Sequence, residues 1–240
     1  MKEKKKSKKK ILIILAIIVA AIVSIIGYGV VKDLNQEKRL KAELDYLYKI
    51  TNQEKYNESE IEKVLNRTIS KGDYKKVEIA YKKYTKDCFT IITDIMSVLD
   101  NEYLTEVLSA KNYQEDGKEF IKSKKFLQTS RETLQNSMIK YNDYLTETKA
   151  MSYLDKELDQ YYIDFYKDEL VGNLESNDED EELFASLNSI IDLINAEEDV
   201  IDFLVENKNS WHLEEDSIAF DSDSLTAEYE VLIAAVESES

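Results

Sequence analysis

Proline is absent from this 240-residue chain, and only five glycines occur, at Gly27, Gly29, Gly72, Gly117 and Gly172. Folds built from many short strands need frequent turn residues, so this scarcity excludes most all-β sandwiches and barrels and points to long helices. Cysteine occurs once, as Cys88, which excludes an intrachain disulfide framework and leaves the core to hold itself together. Histidine also occurs once, as His212. Catalytic triads and most zinc sites draw on histidine, cysteine or both, and one copy of each in separate predicted elements supplies neither. A glycine-rich phosphate loop is excluded by the shortage of glycine, and the patterns H-E-x-x-H, C-x-x-C and G-x-S-x-G do not occur.

Positive charge is nearly missing from the C-terminal part. From Val171 to Ser240 twenty-one acidic residues stand against one basic residue, Lys208, within a chain of net charge −17. An acidic exterior of this kind argues against nucleic-acid binding, since phosphate recognition depends on lysine and arginine. It fits a solvated surface, or one that recruits a basic partner or divalent cations.

What is present in quantity is apolar and charged residues together, 43% and 34%, the balance of a folded domain. One long apolar run stands out. Residues 11–31, marked along their length by Ile11, Ile18, Ile25 and Val31, hold no charge and fourteen Ile, Leu or Val residues. As a helix the run spans about 31 Å, close to the ~30 Å hydrocarbon core of a bilayer. Insertion of the fourteen branched residues contributes roughly −4 to −8 kcal/mol. Seven lysines lie among the first ten residues, and the flank after the run is mixed. The basic excess keeps the N-terminus in the cytoplasm and sends the remainder across the membrane. The run is longer than a signal-peptide core, and no A-x-A site or cysteine follows it, so it is expected to remain as a signal anchor in the cell membrane.

Beyond the anchor, apolar residues recur at helical spacing. A juxtamembrane helix is expected over 32–51, with Leu34, Leu40, Leu44, Leu47 and Ile50 along one side. Ser59 and Glu62 form a capping box for a short helix that Gly72 closes, and Asp73 caps the next helix. In that helix Val77, Tyr81, Tyr84, Cys88, Ile91, Ile95 and Val98 alternate at spacings of four and three. Cys88 on this seam is a buried structural thiol.

Between Gly117 and Gly172 two stripes run, Phe120, Leu127, Leu134, Met138, Tyr141 and Leu145, then Leu154, Leu158, Tyr161, Phe165 and Leu170. Nine steps of 100° place Leu145 and Leu154 on opposite faces, so the chain should break near Thr148 to Ser152. Another helix is expected over 180–207, with a seam of Leu183, Leu187, Ile190, Ile194, Ile201 and Leu204. Glu197 falls on that seam and is expected to reach solvent through a local bend.

The last segment changes period. Trp211–Glu214 and Ser217–Phe220 alternate around Glu215-Asp216 as a β-hairpin, and Leu225, Tyr229, Leu232 and Val236 define a final helix. A lone hairpin is marginal in water, so Trp211 and Phe220 must anchor it on helices. Trp211, Phe220 and Tyr229 are the candidate interaction surface. His212 is expected on the hairpin surface. The alternating acids Asp178, Asp180, Glu182 and Asp221, Asp223 resemble calcium ligands, but neither run supplies the glycine and the twelfth-position glutamate of an EF-hand. No metal and no cofactor is expected, and the tyrosines at helical spacing, Tyr153, Tyr161, Tyr162 and Tyr166, belong to a core and its rim.

The expected fold is mainly all-α. Residues 1–10 form a basic cytoplasmic tail, 11–31 the transmembrane signal anchor and 32–51 the juxtamembrane helix. Residues 52–206 form an antiparallel extracytoplasmic helical bundle, and 207–240 an acidic hairpin-helix appendage. The expected role is a single-pass, membrane-anchored interaction or adaptor protein without catalytic activity. Its partners would be the lipid bilayer and a protein, or a second copy, at the outer membrane face. A sensor of ligand or envelope state acting through a partner membrane protein is the second expectation, and an enzyme acting on envelope polymers the third.

Overall fold

Residues spaced three and four apart build helices along most of the chain in a computed structural model that describes residues 34–51, 57–172, 178–215 and 217–239. The helices are α1 (Leu34–Thr51), α2 (Glu58–Asn66), α3 (Gly72–Leu99), the short α4 (Tyr103–Glu106) and α5 (Ala110–Asp116), and α6 (Ile121–Tyr144). Then come α7 (Glu147–Met151), α8 (Gln160–Asp164) running into a π-helical stretch at Phe165–Val171, and α9 (Asp178–Glu206). Strands β1 (Trp211–Glu214) and β2 (Ser217–Phe220) and helix α10 (Asp223–Ser238) complete the described chain. The fold is thus mostly helical with one small antiparallel hairpin and a helix at its end. The expected membrane-spanning residues Ile11, Ile18, Ile25 and Val31 lie outside the described residues. Among the described residues no helix is long and apolar enough to cross a bilayer.

The described residues divide into two compact units. One, here the α1 unit, comprises the described residues up to Thr93 together with those of Met138–Leu183; the other, the hairpin unit, comprises Asp94–Ser137 and Phe184–Ser240. The boundaries fall inside α3, α6 and α9.

In the α1 unit every named seam residue of α3 from Val77 to Ile91 is buried, and Cys88 is 4% exposed. α1 lies against α2 through a cluster of Leu47, Ile50, Ile61, Val64 and Leu65, with Phe89 of α3 packed on it. The start of α2 differs from the capping-box expectation. Asn57, in an extended conformation, accepts the Glu60 amide at 3.3 Å, two residues before Ser59. The end differs too. Gly72 does not close α2, which stops at Asn66, because the amides of Ile69 and Ser70 donate to the Glu78 carboxylate at 2.9 to 3.1 Å instead of continuing a helix. The chain does break between the two stripes, but not at Thr148 to Ser152: Glu147–Met151 is itself α7, and the breaks fall at Leu145–Thr146 before it and at Ser152–Asp159 after it, where caps are available. Leu145 follows the end of α6, Thr146 caps α7 by accepting the Lys149 amide, and Asp159 caps α8 by accepting the Tyr161 amide. Two helix starts within fifteen residues thus turn the chain without proline or glycine. π-helical stretches are uncommon. This one buries Tyr166 completely and lets its hydroxyl donate to the Ala150 carbonyl at 2.9 Å.

In the hairpin unit α6 and α9 run in opposite directions: Lys124 pairs with Asp202, and Arg131 pairs with Asn195 and Glu198. The stripe of Phe120, Leu127 and Leu134 is completed by Ser123, Ser130 and Ser137, all buried. Serine at these positions keeps the four-and-three spacing with little bulk. The start of α6 is held by Asp116, whose carboxylate accepts the Lys122 and Ser123 amides at 3.0 and 2.7 Å. Burial alone would raise the Asp116 carboxyl, but the Ser123 hydroxyl and these amides outweigh it and hold it below the usual carboxylate range. Phe120 sits just before α6 at φ +47, a region costly for a residue with a side chain. It stays there because its ring is fully buried between Tyr113 and Trp211.

Candidate functional site

The most heavily built polar feature is where α1 meets α2 and α3. The amphipathic spacing of α1 carries two acids on its apolar side: Glu37 and Glu43 share the three-and-four spacing of Leu40, Leu44, Leu47 and Ile50. Both are buried, at 7% exposure each. Glu43 accepts a two-pronged bond from Arg67, at 2.6 Å on each oxygen, and a third from Lys82 at 2.8 Å. Lys82, 3% exposed, spends its ammonium on Glu43, on Glu78 at 2.7 Å and on the Arg67 carbonyl at 3.0 Å. An ammonium has three donors, so Lys82 is saturated. Glu78, wholly buried, also accepts the Ile69 and Ser70 amides and the Ser70 hydroxyl. Burial would push both carboxyls up. The bonds from Arg67 and Lys82 hold Glu43 below the usual range, and those from Lys82, Ser70 and Ile69 do the same for Glu78.

A second layer lies toward the start of α1. Glu37 pairs with Lys41 at 3.0 Å and accepts the hydroxyls of Tyr161 at 3.1 Å and Tyr74 at 3.4 Å. Tyr74 packs edge-on against Tyr162 and Phe165. Its burial, then the Tyr161 hydroxyl 3.2 Å away, raise its own hydroxyl above the ordinary tyrosine range. Tyr74 and Tyr166 are core, while Tyr161, Tyr162 and Tyr153 are half-buried at its rim. Together the two layers seat α1 as a structural member of its unit. In both layers each carboxylate has a counter-charge within 3.0 Å.

The candidate surface residues come together in the hairpin unit. The strands pair as expected, Trp211 opposite Phe220. Trp211 is 3% exposed, donates its indole N–H to the Leu204 carbonyl at 2.7 Å and lies beneath the Lys118 ammonium. Phe220 and Tyr229 are half-buried and pack against each other and Phe203. Tyr229 reaches the Tyr113 hydroxyl at 3.5 Å. These three residues fasten the hairpin and α10 to α9. The chain matches no family model, no curated protein and no solved structure.

Other predicted residues fall as follows. His212 is exposed and pairs with Glu214 at 3.1 Å. Cys88 is buried, and burial pushes its thiol up to about 12. Glu197 does not reach solvent: it is 3% exposed on the core side of α9, because that helix continues straight through the seam position from Asp178 to Glu206. Asp221 and Asp223 are exposed. Among the described residues no group of three or more His, Cys, Asp or Glu side chains stands where it could hold a metal ion.

The buried charges of α1, α2 and α3 were not singled out from sequence. A signal was available: Leu40, Glu43, Leu47 and Ile50 repeat at three, four and three, so Glu43 occupies a core position. Its partners Arg67 and Lys82 lie on separate helices and loops, and only the fold identifies them.

Proposed function

We propose that this chain is a membrane-anchored, single-pass helical interaction or adaptor protein, held with its N-terminus in the cytoplasm and its helical units on the outer side, and without catalytic activity. The observation that carries this reading is the seating of α1. The apolar run 11–31 leads within three residues into a helix that is fixed in a folded unit by Leu40, Leu44, Leu47 and Ile50 and by Glu43 bonded to Arg67 and Lys82. A display tether that ends in a flexible linker has no use for such seating. A helix leaving the bilayer and locked into the domain gives the domain a fixed stance at the membrane.

The same seating favours a second reading, an envelope sensor acting through a partner membrane protein. A locked helix would carry a displacement of the domain to the membrane segment.

Crosslinking in intact cells, followed by pull-down of the full-length protein through a C-terminal tag, tests the adaptor reading. Recovery of one specific membrane or envelope protein is the expected result. Recovery of the chain alone across crosslinkers of several lengths would refute an adaptor and favour self-assembly or a small ligand.

A further inference from the structure

Helix α10 is apolar on two sides. Tyr229 and Val236 face inward with Leu225 and Leu232, all buried or half-buried. The opposite side carries Ala227, Val231 and Ala234, spaced four and three apart, with Val231 69% exposed and both alanines exposed. Helices of globular proteins ordinarily turn a polar face to water, and apolar residues spaced four and three apart match the a and d spacing of a helix-pair seam. Its edges are acidic: Glu230 and Glu237 flank it on one side and Glu228 on the other, all exposed. The helix contains no basic residue.

We infer that the outward face of α10, centred on Val231 and edged by Glu228, Glu230 and Glu237, is a docking surface for a partner's amphipathic helix with a narrow apolar seam and lysine or arginine along its edges. This rests on the adaptor reading and names its surface. Charge selects the occupant. A second copy of α10 would set these glutamates against their own kind, which is unfavourable at helix edges. An anionic bilayer would be repelled in the same way. A basic-edged helix gains ion pairs along both edges and covers Val231. The face is turned away from Tyr229 and Phe220, so the sequence-predicted aromatic residues hold α10 in place while the opposite side stays open.

The test uses full-length protein in nanodiscs and a fluorescent synthetic peptide of about three heptads, with Ala and Leu at the seam and Lys at the edges. A twin peptide carries Glu in place of Lys. Fluorescence anisotropy should show saturable binding of the Lys peptide and none of the Glu peptide. Val231→Glu should weaken the Lys peptide by about tenfold or more, about 1.4 kcal/mol. Replacing Glu228, Glu230 and Glu237 together by Lys should reverse the preference. Ala227→Glu, on the same face one turn earlier, repeats the test if Val231→Glu changes the circular dichroism. The inference is overturned if Val231→Glu leaves affinity within about twofold, if both peptides bind alike, or if neither binds. It is also overturned by a dimer of the parent protein that Val231→Glu abolishes, or by lipid quenching of a probe at 231. No peptide binding beside a crosslinked partner in cells would remove this face and leave the adaptor reading; peptide binding without any cellular partner would do the converse.

Discussion

Lys82→Met is the sharpest perturbation of the α1 unit, because it keeps an unbranched side chain of similar length and deletes only the charge. The parent ammonium is 3% exposed and bonds Glu43, Glu78 and the Arg67 carbonyl at 2.7 to 3.0 Å. Breaking a buried pair by removing one partner costs about 3–5 kcal/mol, chiefly through the charge left behind. Here both carboxylates keep other donors: Arg67 still grips Glu43, and the Ile69 and Ser70 amides still reach Glu78. The lower end, about 3 kcal/mol, is therefore expected. At about 2–4 °C per kcal/mol for a chain of this size, Tm should fall by roughly 6–12 °C. The assay is far-UV circular dichroism of the full-length protein in a nonionic detergent, with hydrogen exchange of α1 amides alongside. Adding Glu78→Gln to Lys82→Met should recover part of the loss, since it removes the stranded charge. A loss below about 1 kcal/mol, the value of an exposed pair, would refute a desolvated network. The acid response follows from the same geometry. Glu43 and Glu78 titrate below their ordinary value of 4.5 in the fold. Their contribution is therefore complete above 4.5 and lost as the pH falls through the lower folded values. Without Lys82, burial acts with less opposition, so acid destabilisation of the variant should begin at higher pH than in the parent.

Cys88 should resist thiol reagents in the native protein and react rapidly once urea unfolds it, since burial pushes the thiol up to about 12; rapid native labelling would contradict its place in the core. Trp211→Phe should cost roughly 1–3 kcal/mol by urea denaturation, through the lost bond to the Leu204 carbonyl; a neutral outcome would mean the indole does not anchor the hairpin. Glu215 follows β1 at φ +51, so Glu215→Asn should raise stability by roughly 0.5–1 kcal/mol, part of the about 1–2 kcal/mol cost of that conformation. A lower Tm would show that the turn needs the glutamate for another reason.

Much of the helical order was legible because it is local. The α3 seam from Val77 to Val98 is buried as its spacing implies, and the hairpin has the expected strand bounds and register. The break between Leu145 and Leu154 followed from a helix being unable to present two opposite stripes to one core. Helix ends were less legible. Both Asn57 and Ser59 can cap α2, and the choice between them depends on where α2 must lie. Asn66 ends α2 because Glu78, twelve residues later, satisfies the amides that follow. The serines of α6 were passed over because serine is polar, yet close packing made them core.

Sequence by itself determined the scarcity of turns, the helical periods, the acid excess of the C-terminal part and the apolar run at 11–31, since each is a property of neighbouring residues. Only the tertiary structure decided which charges are hidden and which apolar residues are shown. Glu37, Glu43 and Glu78 became interior because donors from other segments meet them there, and Lys82 because the Glu43 and Glu78 carboxylates and the Arg67 carbonyl accept its ammonium. Trp211 became an internal anchor because the hairpin packs on α9, and Val231 stayed exposed because a helix with two apolar sides can bury only the side its neighbours reach.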